Sequence, residues 1–138
     1  FYRWTIKMLK EQDIKQYLNE KGGTFKGNTS IIGVIFPSKF TYALGPLATA
    51  LSMQYCAMNF NDSGIAVIGL NNVTGKLENE AFLFVPKEEV TSVKFNKKLM
   101  SYELEISTSQ GTLAFKVNKT MVGASWHKEN LATILKSL

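Results

Sequence analysis

From Phe82 to Leu138 the chain alternates hydrophobic and polar positions, first with a period of two and then with a period near four. Residues 82–85, 90–95, 102–107 and 112–117 follow one another at hairpin spacing. In the third run Tyr102, Leu104 and Ile106 face one way while Glu103, Glu105 and Ser107 face the other. Such alternation marks an antiparallel strand with one wet face. Ser109, Gln110 and Gly111 supply a tight turn, with Gly able to take positive φ. A helix over about 121–136 then ends the chain. Its apolar stripe is Ala124, Leu131, Ile134, Leu135 and Leu138, and Ser125 is a fair N-cap.

The first half reads less regularly. Residues 4–20 lack Gly and Pro, and Ile6, Leu9, Ile14, Tyr17 and Leu18 fit one helical stripe closed by Gly22 and Gly23. Residues 31–36 form an apolar run stopped by Pro37, a first strand. From Phe40 to Asn61 there is no charged residue. That stretch has the length of a membrane span, but Gly45, Pro46, Thr49, Ser52 and Gln54 interrupt it. A short helix over 47–53 followed by a strand over 55–60 is the better reading. Asn61 to Gly64 is a turn, 65–70 is a strand buried on both sides, and 71–80 is a polar loop. The pattern predicts a mostly β (α+β) chain of about seven strands with one helix before them and one after.

Composition narrows the function. With 138 residues and 45% hydrophobic content, the chain can bury a core without metal or disulfide staples. The single cysteine, Cys56, points to a reducing, cytoplasmic setting, and no signal peptide is visible. The chain starts at Phe1 rather than methionine, as a trimmed piece would. Its formal charge of +5 comes almost wholly from lysine, Arg3 being the single arginine. Specific nucleic-acid readers rely on arginine forks, so that class is not expected.

Chemistry-bearing motifs are sparse. Gly22, Gly27, Asn28 and Thr29 approach a phosphate-binding loop but place Asn28 where the motif needs lysine. One Cys and one His cannot build the common zinc sites, so no metal or cofactor is expected. His127 reads as a core-edge histidine with one hydrogen bond, Cys56 as a small buried hydrophobe, and Glu103 and Glu105 as solvated surface carboxylates. Two surfaces are candidates for contact. The uncharged segment carries Phe40, Tyr42, Leu44, Leu47 and Leu51, a partner or membrane contact. Lys94, Lys97, Lys98, Lys116 and Lys119 form a candidate anion-binding rim if their strands are adjacent.

Residues 54–138, and above all the stretch from Phe84 through Leu113 followed by the terminal helix, resemble the bacterial pleckstrin-homology-like domains. The resemblance lies in a proline-marked turn, a Val-x-x-Val strand, a lysine-flanked Leu-Met hairpin, a Leu-x-Ile strand and a glycine turn. It implies a seven-stranded antiparallel barrel or sandwich capped by the C-terminal helix over 24–138, with 1–23 as a helical extension. Trp126 is similar to the tryptophan that relatives keep in that helix. The resemblance also implies binding rather than catalysis: contact with a protein partner or self-association through the 40–53 loop and N-terminal helix. The alternative is a peripheral membrane binder, using that loop and the lysine rim on anionic lipid. A small hydrolase using Cys56 or His127 is a third reading. Phosphoinositide binding by the first hairpin does not transfer, because residues 33–55 hold only Lys39.

Overall fold

In a computed structural model of the chain, residues 9–45, 48, 55–71, 73–121 and 124–138 are described. The elements are α1 (Glu11–Glu20), β1 (Ser30–Ile35), a 3-10 turn (Pro37–Lys39), β2 (Tyr55–Asn61), β3 (Gly64–Leu70) and β4 (Leu77–Pro86). A second 3-10 turn (Lys87–Glu89), β5 (Val90–Lys97), β6 (Ser101–Thr108), β7 (Gly111–Asn118) and α2 (Ser125–Lys136) follow. The strands form one antiparallel sheet in the order β4-β3-β2-β1-β7-β6-β5. β4 and β5 are unjoined edges, so the sheet does not close into a barrel. The architecture is mostly β with two helices, consistent with a pleckstrin-homology-like sandwich.

Two cores share the central strands, because successive side chains point to opposite faces. Ile31, Met58 and Val67 face Leu104, Ile106, Leu113 and Phe115 from the other half of the sheet, with Leu131 and Ile134 of α2 closing the space. Ile32, Ala57, Ala66 and Ile68 face the opposite way, under Leu9, Ile14, Tyr17 and Leu18 of α1 and its lead-in. Every residue of β3 is buried, the two-sided strand that its apolar run predicts.

Several boundaries differ from the sequence expectation. Leu9 and Lys10 are not helical, and α1 begins at Glu11, where the Asp13 carboxylate accepts the Lys10 N–H at 2.9 Å. Residues 4–8, including Ile6, and the helix expected over 47–53 lie outside the described residues, Ala48 excepted. At the other end of α1, Gly22 at φ +73 donates to Asn19 while Gly23 donates to Leu18. This is the left-handed stop that the glycine pair predicts. Residues 77–80, expected as loop, belong to β4. Their charges hide a strand that is an exposed edge, and α1 with its C-cap covers its carbonyls: Tyr17 donates to Glu78 O at 2.8 Å and the C-cap Lys21 to Asn79 O at 2.8 Å. The last helix begins at Ser125 with Ala124 at the cap position, so Ser125 is not the cap. Leu138 lies beyond that helix and is exposed rather than part of its stripe.

The join between the two halves of the sheet is unusual. β1 pairs with β7 only through Val34↔Lys116 and Ile35↔Phe115. Continued two steps, that register would set Ile32 opposite Asn118. Instead the His127 ring stands between them: Nδ1 accepts the Ile32 N–H at 3.1 Å, and Nε2 lies 2.7 Å from the Asn118 carbonyl. An amide only donates and a carbonyl only accepts, so the ring is neutral with its proton on Nε2. One turn on, Asn130 donates to the Ser30 carbonyl at 3.0 Å. His127 is thus fully buried with two hydrogen bonds, not a core-edge residue with one.

Removing the imidazole strands two backbone groups. His127→Ala is expected to cost about 2–5 kcal/mol in urea unfolding at mildly alkaline pH. Burial also lowers the ring's pKa from 6.5, so below that pH the unfolded chain takes up the proton first. Wild-type stability should therefore be flat in this contribution above pH 6.5 and fall as pH drops below it. The difference between wild type and variant should shrink over the same interval. A difference independent of pH would refute the neutral bridge.

Candidate binding surface

β5 and β6 keep pairing up to Lys97↔Tyr102, and Lys98 N–H still donates to Ser101 O at 2.8 Å. Only Leu99 and Met100 are left to make the turn. Neither is a turn former; two-residue hairpin loops favour Gly, Asn and Asp. Both side chains stand in solvent, Leu99 at 86% and Met100 at 75% exposure. Their backbone is nevertheless held from behind by Lys119, whose N–H donates to Met100 O at 3.3 Å and whose Nζ donates to Leu99 O at 3.0 Å. The same ammonium sits 5.6 Å from the centre of the Tyr102 ring.

The lysine rim divides by strand face. Lys97 and Lys98 flank the tip and Lys119 backs it. Lys94 and Lys116 lie on the outer face of the sheet, in register with Glu105 and Glu103 respectively. Glu103 is not the solvated carboxylate its alternation suggests. Lys39 of the first 3-10 turn reaches it at 2.8 Å, Lys98 comes to 4.0 Å, and its side chain is 8% exposed. The hydrogen bond to Glu103 raises the pKa of Lys39. Glu105 accepts from Asn96 at 3.1 Å. An opposing carboxylate therefore accompanies the lysines of the outer face and lies within 4.0 Å of Lys98, whereas Lys97 and Lys119 flank the apolar tip.

The described part of the uncharged segment lies elsewhere. Phe40, Tyr42 and Leu44 are half-buried against the main core, with Phe40 edge-on to Phe115 at 5.8 Å. Thr41 and Tyr42 both donate to Thr112 O, at 2.8 and 2.9 Å. Gly111, at φ +125, leaves room for this crossing, since a Cβ there would lie 2.8 Å from the Thr41 carbonyl. Phe40, Tyr42, Leu44 and Ala48, with Ile35 and Pro37, line a cleft of about 250 Å³. Burial, with Glu89 nearby, raises the pKa of Tyr42. Leu47 and Leu51 lie outside the described residues. Thr112 and the Leu99–Met100 turn are at opposite ends of β6 and β7, about 24 Å apart at the rise of a strand. Thr41 and Tyr42, bonded to Thr112, and the lysines of the tip are therefore not one surface.

The groups considered for catalysis are occupied in the fold. Both nitrogens of His127 are bonded to backbone, so the ring has no lone pair or proton to offer Cys56. Burial pushes the Cys56 thiol up to about 12. Asn28, at the key position of the phosphate-loop near miss, has its N–H bonded to Glu11 Oε2 at 3.1 Å, a carboxylate where a phosphate would sit. Among the described residues no cluster of three metal-ligating side chains occurs, and no helix is long and apolar enough to cross a membrane.

The tip was legible in part: Lys97-Lys98-Leu99-Met100 is visible as a lysine-flanked hairpin. Its exposure follows only once both flanking strands are paired to their ends. No family model, curated protein or solved structure matches the chain.

At neutral pH a thiol titrating near 12 instead of 9.0 carries about a thousandfold less thiolate. Alkylation of Cys56 in the folded protein is expected to be slower than in urea by about a hundredfold or more, followed by intact mass, since burial also blocks access. Comparable rates in the two states would contradict its burial.

Proposed function

We propose that this chain is a non-catalytic, pleckstrin-like binding module that acts by contact, with the β5–β6 turn as its contact point. The strand order and the capping α2 support the likeness to pleckstrin-homology-like domains. The observation that carries the reading is the exposure of Leu99 and Met100 on a turn whose backbone is pinned by Lys119. Large apolar side chains gain nothing for folding when held out in water. A pinned backbone holds them in place before any partner arrives, which lowers the ordering cost of association.

The 40–45 segment is a weaker contact point than its composition suggests. Its aromatic residues already cover the main core, and its backbone is bonded to Thr112. The apolar side of α1 is likewise spent on the second core. A hydrolase built on Cys56 and His127 would need an imidazole that can move a proton, and this one bridges two strands.

A photo-crosslinking amino acid placed at Leu99 in the cell of origin is expected to give a specific adduct, lipid or protein. The same probe at Gln110, the exposed turn at the far end of β6, is expected to give little. Equal yields at the two turns, or none at Leu99, would remove the tip from its role.

A further inference from the structure

We infer that the β5–β6 tip docks on an anionic lipid surface, with Leu99 and Met100 entering the headgroup–acyl boundary and Lys97, Lys98 and Lys119 at headgroup level. The inference rests on the reading of this turn as the contact point and adds the identity of what it meets.

Shape comes first. A stable protein partner contributes about 800 Å² of its surface and normally meets a broad patch. Leu99 and Met100 form a two-residue apolar tip instead, 86% and 75% exposed at the end of the β5–β6 hairpin, with β7 alongside. A bilayer asks for no complementary hollow, because its interface yields to a small apolar wedge.

Charge is the second observation, independent of shape. Lys97 and Lys98 directly precede the apolar pair, and Lys119 reaches it from β7's end to bond the Leu99 carbonyl at 3.0 Å. Glu103, whose carboxylate comes within 4.0 Å of Lys98, is already engaged by Lys39 at 2.8 Å. The tip is thus positive as well as apolar, while Lys94 and Lys116 lie in register with carboxylates on the outer face. Lysine stems lie along apolar surface and let the ammonium reach phosphate oxygens, which matches the depth difference between the two groups. The protein's net charge of +5 draws it toward the same surface.

The test uses the full chain and flotation with two kinds of vesicle, phosphatidylcholine alone and phosphatidylcholine mixed with phosphatidylglycerol. Wild type is expected to float with the anionic vesicles at low salt and much less at high salt or with neutral vesicles. Lys97→Gln and Lys98→Gln should each weaken binding about fivefold. Leu99→Ser with Met100→Ser should weaken it about tenfold or more at unchanged lysine content. Lys94→Gln with Lys116→Gln should change it less than about twofold, because those lysines are off the tip. All six positions are on the surface, and equal urea midpoints will establish that the variants fold. No flotation of wild type would overturn the inference, as would equal losses from the outer-face pair, which would mean bulk charge attraction. If vesicles fail but the probe at Leu99 still captures a protein, the tip remains a contact point and the lipid assignment falls. If both fail, the reading of the tip falls with it.

Discussion

The imidazole of His127 takes the place of a strand-to-strand hydrogen bond, and the arrangement of both sheet halves follows from that substitution. A direct bond between Ile32 and Asn118 would hold β1 and β7 together along their length. With a ring between them the strands diverge, leaving an opening that α2 fills with Leu131 and Ile134. Asn130 donates to the next carbonyl along β1, that of buried Ser30. Buried backbone groups must find partners, and here a helix supplies them. The same requirement holds the only histidine of the chain to a structural task.

Polar satisfaction governs the other open places as well. β4 is an edge strand, and Tyr17 of α1 and Lys21 just after it bond its carbonyls; burial, with Glu80 and Glu78 close by, pushes the Tyr17 hydroxyl up to about 12. Asn59, buried in β2, donates to Lys26 O and to Ser30 Oγ, both at 2.9 Å, so the loop before β1 is tied down from within. On the outer face of β5–β7, Lys39 neutralises Glu103. These pairings account for most of the charged and polar groups that could otherwise be mistaken for a site.

Against that background the Leu99–Met100 turn breaks a local rule without a folding benefit. Natural chains put Gly, Asn or Asp into two-residue hairpins, and apolar side chains under cover. Here the side chains are exposed, and it is Lys119 that makes the turn tenable. Local conflict of this kind concentrates where a chain does something other than fold.

Local patterns by themselves determined the strands around Leu104, Phe115 and Ile68, the glycine stop of α1 and the inward face of α2 at Leu131 and Ile134. Each depends on periodicity or on a backbone angle that only its own neighbours set. The strand at 77–80 does not show in the local pattern because Glu78 and Glu80 protect an edge, and an edge exists only relative to a sheet. Glu103 looked solvated because alternation tells which face a residue occupies, not what lies over that face; Lys39, more than sixty residues earlier, does. The same holds for the lysines, which split between two surfaces according to register, and for His127, whose partners are 95 and 9 residues away. Spacing along the chain carries the conformation of each segment. Which segment covers which, and so which side chains remain to meet another molecule, was decided by docking distant segments so that buried backbone and charge were paired.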